Sequence, residues 1–140
     1  MILVDTPVWS LALRRREGDL STHERGFTEV LSELIRERRV QLLGSNRQEL
    51  LSGIREQSQF RRIRDYLRDF PNVDLDAGDY EEAAQLSHKC RSARIAASPV
   101  DMLMCAVSLR YGWEIMTTDR DFTHYLRVLP LKLFSPVKLQ

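Results

Sequence analysis

The sequence predicts an α/β domain built on a mostly parallel central sheet with helices on both faces. Three observations carry this expectation. The chain opens on MILV, an apolar run with two β-branched members, the composition of a strand buried on both sides. Short apolar runs recur at residues 40–43 and in WEIMTT at 113–118, separated by long stretches whose apolar residues fall three and four apart. Strands alternating with helices imply parallel neighbours joined by helical crossovers. No repeat, low-complexity tract or linker interrupts the 140 residues, so residues 1–140 read as one domain with room for a real core.

Each element has a local reason. Thr6 reads as the N-cap of a first helix and Pro7 as its first residue. HERGFTEVLSELIRERR places Phe27, Val30, Leu31, Leu34 and Ile35 on one helical face. After the strand at 40–43, SNRQELLSGIREQ is helical through Leu50, Leu51 and Ile54. FRRIRDYLRDF is helical through Phe60, Ile63, Tyr66 and Leu67 until Pro71 stops it. NVDLD gives a brief strand, and DAGDYEEAAQLSHKCRSARIA a long helix. Ser98 and Pro99 cap and open another helix, which ends at Gly112. WEIMTT is a strand, DRDF a turn, DFTHYLRV a short helix and LKLF a last strand.

Composition narrows the function classes. With 43% hydrophobic and 29% charged residues the chain reads as soluble, and no apolar stretch approaches the roughly 20 residues of a membrane span. The N-terminus lacks a basic segment ahead of a long apolar one, so a cytoplasmic protein without a signal peptide or membrane partner is expected. Cys90 and Cys105 have no framework spacing and read as reduced thiols, and His88 near Cys90 lacks the second pair that a zinc site needs. Net charge is only +1, which gives no global basic field. All but three of the 21 basic residues are nonetheless arginine, whose planar fork suits phosphate. Arg14, Arg15, Arg16, Arg61 and Arg62 are the candidates for tracking a phosphate backbone. Helix faces paired to Glu33, Glu37, Asp65 and Asp69 are the plainer explanation of the same clusters.

The informative acids sit where the pattern does not need them. If Thr6 caps the first helix, Asp5 is left at the C-terminal end of a strand with no structural duty, at the edge where open α/β sheets bind ligands. Asp119 and Asp121 come directly after WEIMTT and should converge with Asp5 if the two strands are neighbours. Asp101 opens the helix leading into that strand, although Ser98 with Asp101 also resembles a capping box. Glu49 lies beside an apolar stripe, where a solvated glutamate is the alternative, and Asp121 could serve as an N-cap. Carboxylates gathered at one edge repel, and a hard divalent cation, Mg²⁺ or Mn²⁺, is the counter-charge suited to an all-oxygen set. A metal so held activates water and polarises a phosphoryl oxygen, which points to phosphodiester hydrolysis.

MILVDTPVW, QELLSG, SPVDMLMCAVSLRYG and IMTTDRDF occur in the order and spacing of PIN-domain ribonucleases, and the chain resembles in particular the VapC toxins of toxin–antitoxin pairs. The resemblance implies a PIN-like α/β/α sandwich with a central mostly parallel sheet, a Mg²⁺-dependent endoribonuclease, a VapB-like antitoxin partner and a homodimer. Carried over, Asp5, Glu49, Asp101 and Asp119 match the catalytic acids; Asp5, Asp101, Asp119 and Asp121 match the metal-side acids; Thr6 and Thr117 match supporting hydroxyls. Pro7, Ser10 and the polar stretch at 46–48 depart from the family pattern without removing an acid. Other classes fit less well. An aspartyl-phosphate phosphohydrolase needs a second acid where Pro7 stands, and in a receiver domain the lysine should come earlier than Lys132 or Lys138. A non-catalytic antitoxin- or RNA-binding module would not need every acid.

Overall fold

The computed structural model describes residues 1–136, so Lys138 lies outside the described residues. Strand β1 (Ile2–Val4) is central. It pairs in parallel with β2 (Val40–Gln41) on one side and β3 (Glu114–Met116) on the other, in register Ile2 with Val40 and Ile2 with Glu114. Helices α1 (Thr6–Leu13) and α2 (Thr22–Arg36) lie between β1 and β2 in the chain, and α3 (Gly44–Ser52) and α4 (Gln57–Leu67) come after β2. Helices α5 (Ala77–Ser92) and α6 (Pro99–Tyr111) lead into β3, and α7 (Asp121–Tyr125) succeeds it.

The sheet separates two apolar cores, as side-chain alternation along a strand requires. Ile2 and Val4 of β1 join Trp9, Leu31, Leu34, Leu50, Ile63, Leu67 and Met116 on the α1–α4 side. Leu3 points the other way, into Leu86, Cys90, Met102, Cys105, Ile115, Phe122 and Tyr125 on the α5–α7 side. This is the α/β/α sandwich. Both faces of β1 are buried, which is why MILV has no polar alternation.

Several expectations about edges and caps are corrected. NVDLD and LKLF contract to single parallel bridges, Leu42 with Asn72 and Ile115 with Leu133. Asp76, the last residue of NVDLD, is instead the N-cap of α5, in a capping box with Asp79. Pro130 before LKLF brings no backbone donor, and Pro136 comes soon after. The helix expected across 45–57 ends at Ser52 with Gly53 as its C-cap, and Ile54 stays buried outside it. Leu43 leaves the second strand to precede α3 as its N-cap residue. Ser98 and Gly112 bound α6 as expected, Gly112 taking a left-handed φ of 69°. Both cysteines are buried and free, and burial raises the pKa of each thiol. His88 is exposed while Cys90 is in the core, so the two share no site.

Two arginines end helices where glycine would be expected. Arg38, after α2, and Arg94, after α5, adopt φ of 57° and 61°. Ile95 N donates to Cys90 O at 2.8 Å, so the chain beyond α5 is tied back across that left-handed residue. Exposed Arg94 therefore carries a left-handed penalty of about 1 kcal/mol that glycine does not. Arg94→Gly is expected to raise stability by about 0.5–1 kcal/mol in a denaturant titration, and a loss would show that the arginine stem contributes more than the backbone strain costs.

Candidate active site

The C-terminal edge of β1 and β3 collects the acids. Asp5 comes directly after β1 and is 3% exposed. Its Oδ1 accepts from Thr6 N at 2.8 Å, so Asp5 and not Thr6 is the N-cap of α1, and Pro7 is the second helical residue. Asp5 thus does have a structural duty, contrary to the expectation built on a Thr6 cap; a helix start offers orphan donors to whichever neighbouring oxygen reaches them. Asn46 Nδ2 also donates to Asp5 Oδ1 at 3.3 Å and to Thr6 Oγ1 at 3.0 Å. On the other side, Thr117 Oγ1 donates to Asp5 Oδ2 at 2.7 Å and accepts from Asp119 N at 2.9 Å. One threonine therefore links the end of β3 to the end of β1 and fixes the start of the loop that carries Asp119.

That loop turns tightly. Asp119 Oδ1 accepts from Asp121 N at 2.9 Å, and α7 begins at Asp121 with Arg120 in the cap position, so Asp121 does not cap the helix. Across from it, Asp101 opens α6. Its backbone N donates to Ser98 Oγ at 3.1 Å, but its carboxylate does not return the bond to complete a capping box. Instead Asp101 Oδ2 accepts from Tyr125 Oη at 2.7 Å. Asp101, Asp119 and Asp121 offer ligand atoms that all lie within 4.8 Å of one another. Asp5 is not one of this trio and is joined to Asp119 through Thr117. Glu49 is exposed on α3, one turn beyond Asn46, and hydrogen-bonds to none of these acids.

The electrostatics reflect crowding without a counter-charge. Asp5 has its pKa pushed up to about 6, chiefly by burial, with the charges of Asp101 and Glu49 adding to the rise and the bonds from Thr117 and Thr6 opposing it. Asp101 is also raised, by burial first and then by Asp119 and Asp121, against the hydroxyls of Tyr125 and Ser98. Among the described residues, the ion pairs are Arg39–Glu37, Arg64–Asp65, Arg68–Asp65 and Arg110–Asp79, none of which reaches this edge. An all-oxygen set that makes no ion pair with a described residue fits a hard divalent ion and does not fit a thiolate- or imidazole-binding metal.

The arginine clusters lie elsewhere. Asp5 caps the N-terminus of α1, while Arg14, Arg15 and Arg16 come after its C-terminus, about 12 Å of helix away. Arg14 donates to Gly53 O at 3.0 Å and Arg62 to Leu13 O at 3.5 Å, so both brace the α1–α3–α4 junction. Arg15, Arg16 and Arg61 are exposed. Sequence reasoning missed Asn46 and Tyr125. Asn46 is 1% exposed, with Oδ1 unpartnered, and its only signal was an unusually polar stretch; Tyr125 offered the signal of standing four residues after Asp121 on one helix.

The PIN domain family matches residues 2–127 of the chain. Ribonuclease VapC11 of Mycobacterium tuberculosis and the VapC ribonuclease Mb1587 of Mycobacterium bovis are each 27% identical over 137 residues, covering 96% of this chain and 98% of theirs. Among solved structures, FitAcB from Neisseria gonorrhoeae matches with a TM-score of 0.75 at 20% identity, covering 99% of this chain and 100% of that one. VapBC2 from Rickettsia felis, bound to a DNA fragment from its promoter, matches with a TM-score of 0.68 at 15% identity, covering 96% and 98%. These structures share the fold.

Proposed function

The chain belongs to the PIN domain family, and we propose that it is a divalent-metal-dependent endoribonuclease, the toxin of a toxin–antitoxin pair, held in check by a VapB-like partner. The observation that carries this reading is the trio Asp101, Asp119 and Asp121, within 4.8 Å of one another at the ligand-binding edge of a parallel sheet and without a protein counter-charge among the described residues. The names of the relatives, VapC ribonucleases at 27% identity over nearly full length, support the activity.

In this reading Asp5, Asp101, Asp119 and Asp121 hold the ion, and Asp5, Glu49, Asp101 and Asp119 form the catalytic wall. When bound, Mg²⁺ or Mn²⁺ offsets the carboxylate charge, activates a water and steadies the leaving oxygen. Asp5 is preset by three donors, so its carboxylate does not reorient when substrate arrives. Thr117 holds the Asp119 loop at a fixed offset from Asp5, and Thr6 holds the Asn46 amide against it. Glu49, exposed on α3 one turn beyond Asn46, is assigned the proton or water beside the scissile phosphate. Exposed Arg15, Arg16 and Arg61 track the RNA backbone at a distance, positioning it without reading bases. Homodimerisation and a cytoplasmic location complete the proposal; no helix among the described residues is long and apolar enough to cross a membrane.

The purified protein is expected to cut single-stranded or loop RNA with Mg²⁺ or Mn²⁺ present and to stop when EDTA is added. Strong cleavage in excess EDTA would refute the metal reading. Expression alone should arrest growth of a bacterial host, and harmless high-level expression of folded, metal-active protein would remove the toxin assignment while leaving the nuclease.

A further inference from the structure

Helix α7 does two things at once. Its first residue, Asp121, joins the carboxylate trio, and its last, Tyr125, stands four positions on, on the same face. Tyr125 is 1% exposed, and its ring packs edge-on against Phe122 of the same helix, with centroids 5.1 Å apart and planes at 72°. The phenol is therefore fixed before any ion binds, and it donates to Asp101 Oδ2 at 2.7 Å, a charge-assisted bond. We propose that Tyr125 is a positioning residue that sets the ion preference of the site, keeping Asp101 a one-oxygen donor and so favouring Mg²⁺ over Ca²⁺.

The chemistry of the two ions makes the distinction. Mg²⁺ is small, demands near-octahedral geometry and takes carboxylates through single oxygens, whereas Ca²⁺ accepts six to eight oxygens and readily takes both from one carboxylate. With Oδ2 held by the phenol, chelation through both oxygens of Asp101 must share Oδ2 between the hydroxyl and the ion, at the expense of each contact. Binding through one oxygen leaves the bond from the phenol intact and profits from a carboxylate already aimed. Removing the hydroxyl frees Asp101 to rotate, which penalises the ion that needs a fixed direction and spares the ion that accepts either mode.

This inference rests on the metal reading of the acidic edge, and the test separates the two. Tyr125→Phe keeps the buried ring and its contact with Phe122, and a metal-free melt verifies its fold. Parent and variant, free of RNA, are titrated with Mg²⁺ and separately with Ca²⁺ by calorimetry and by the rise in melting temperature. Mg²⁺ affinity is expected to fall about tenfold in the variant, while Ca²⁺ affinity changes by less than about threefold. Equal losses for both ions would make Tyr125 a merely structural support and overturn the proposal, as would no change in either. A parent that binds neither ion would refute the metal reading itself, independently of anything Tyr125 does.

Discussion

Asp101→Asn is expected to lower RNA cleavage by about 100-fold or more while leaving the metal-free protein at least as stable as the parent. The loss of activity comes from removing one charge and one anionic ligand from the trio Asp101, Asp119 and Asp121, which with Asp5 is proposed to hold the ion. The unchanged stability comes from the strain on the native carboxylate. Burial and the neighbouring charges of Asp119 and Asp121 already disfavour its ionised form. Asparagine keeps the volume and an oxygen that can accept from Tyr125, and the cap bond from the backbone N of residue 101 to Ser98 does not involve the side chain. The substitution removes an acid from the first turn of α6, worth about 0.3–1 kcal/mol, and relief of repulsion offsets it. Mg²⁺ should raise the melting temperature of the parent and do so far less in the variant, because an ion that binds only the native state stabilises by mass action. A purely structural Asp101 gives the reverse, with stability down by about 0.5–2 kcal/mol and cleavage intact. Thermal melts with and without Mg²⁺ and a cleavage assay on the same samples decide between them.

Metal-free protein should lose stability as pH rises from about 4 through 6, opposite to the usual behaviour of a carboxylate in an ion pair. Asp5 keeps its proton up to about pH 6 in the folded chain, against an ordinary value of 3.8. Below the lower value both states are protonated and the full contribution is present; through the interval the unfolded chain releases the proton first and gains, and above about 6 the loss is complete. A separation of that size is worth about 3 kcal/mol at a site as buried as Asp5. The raised pKa of Asp101 acts in the same direction. Asp79 is lowered by its bonds to Asp76 and Arg110, so its opposite contribution is confined to still lower pH. Saturating Mg²⁺ should abolish or invert the trend, since ion binding favours deprotonated ligands. Urea titrations at about pH 5 and 7.5 in EDTA, repeated with Mg²⁺, measure it; a metal-free protein more stable at the higher pH would show that Asp5 is ionised at little cost.

Legibility in the sequence depends on distance along the chain. The buried strand MILV, the amphipathic faces of α2 and α4, and the Ser98, Pro99 and Gly112 bounds of α6 are local signals, and the structure keeps them. The cap of α1 is ambiguous in sequence because Asp5 and Thr6 are adjacent and both have capping chemistry; only the geometry of the turn selects one. Edge strands shrink because their residues have rival uses, as when Asp76 turns to cap α5. The local signals of Asn46 and Tyr125 do not name their partners, which lie 41 and 24 residues away and are brought close by crossovers that no periodicity reports. Arg47 is a further case. It belongs by composition with the arginine-rich surface, yet it donates to Leu67 O at 2.9 Å and to Phe70 O, clasping the end of α4.

The bond from Thr117 to Asp5 joins residues 112 apart, and β1 is hydrogen-bonded to β3 throughout its length. On a ribosome adding about 5–20 residues per second, Asp5 emerges many seconds before the strand that anchors it. The central strand of the sheet must therefore wait, paired on one side only, until β3 has been made, the slow non-local closure that parallel topologies impose. Until then Asp5, Glu49 and Asp101 are synthesised but not gathered. A chain interrupted before Thr117 carries Asp5, Glu49 and Asp101 without the threonine that ties Asp5 to the Asp119 loop, so the acidic edge is assembled only after residues more than a hundred positions apart have both been made.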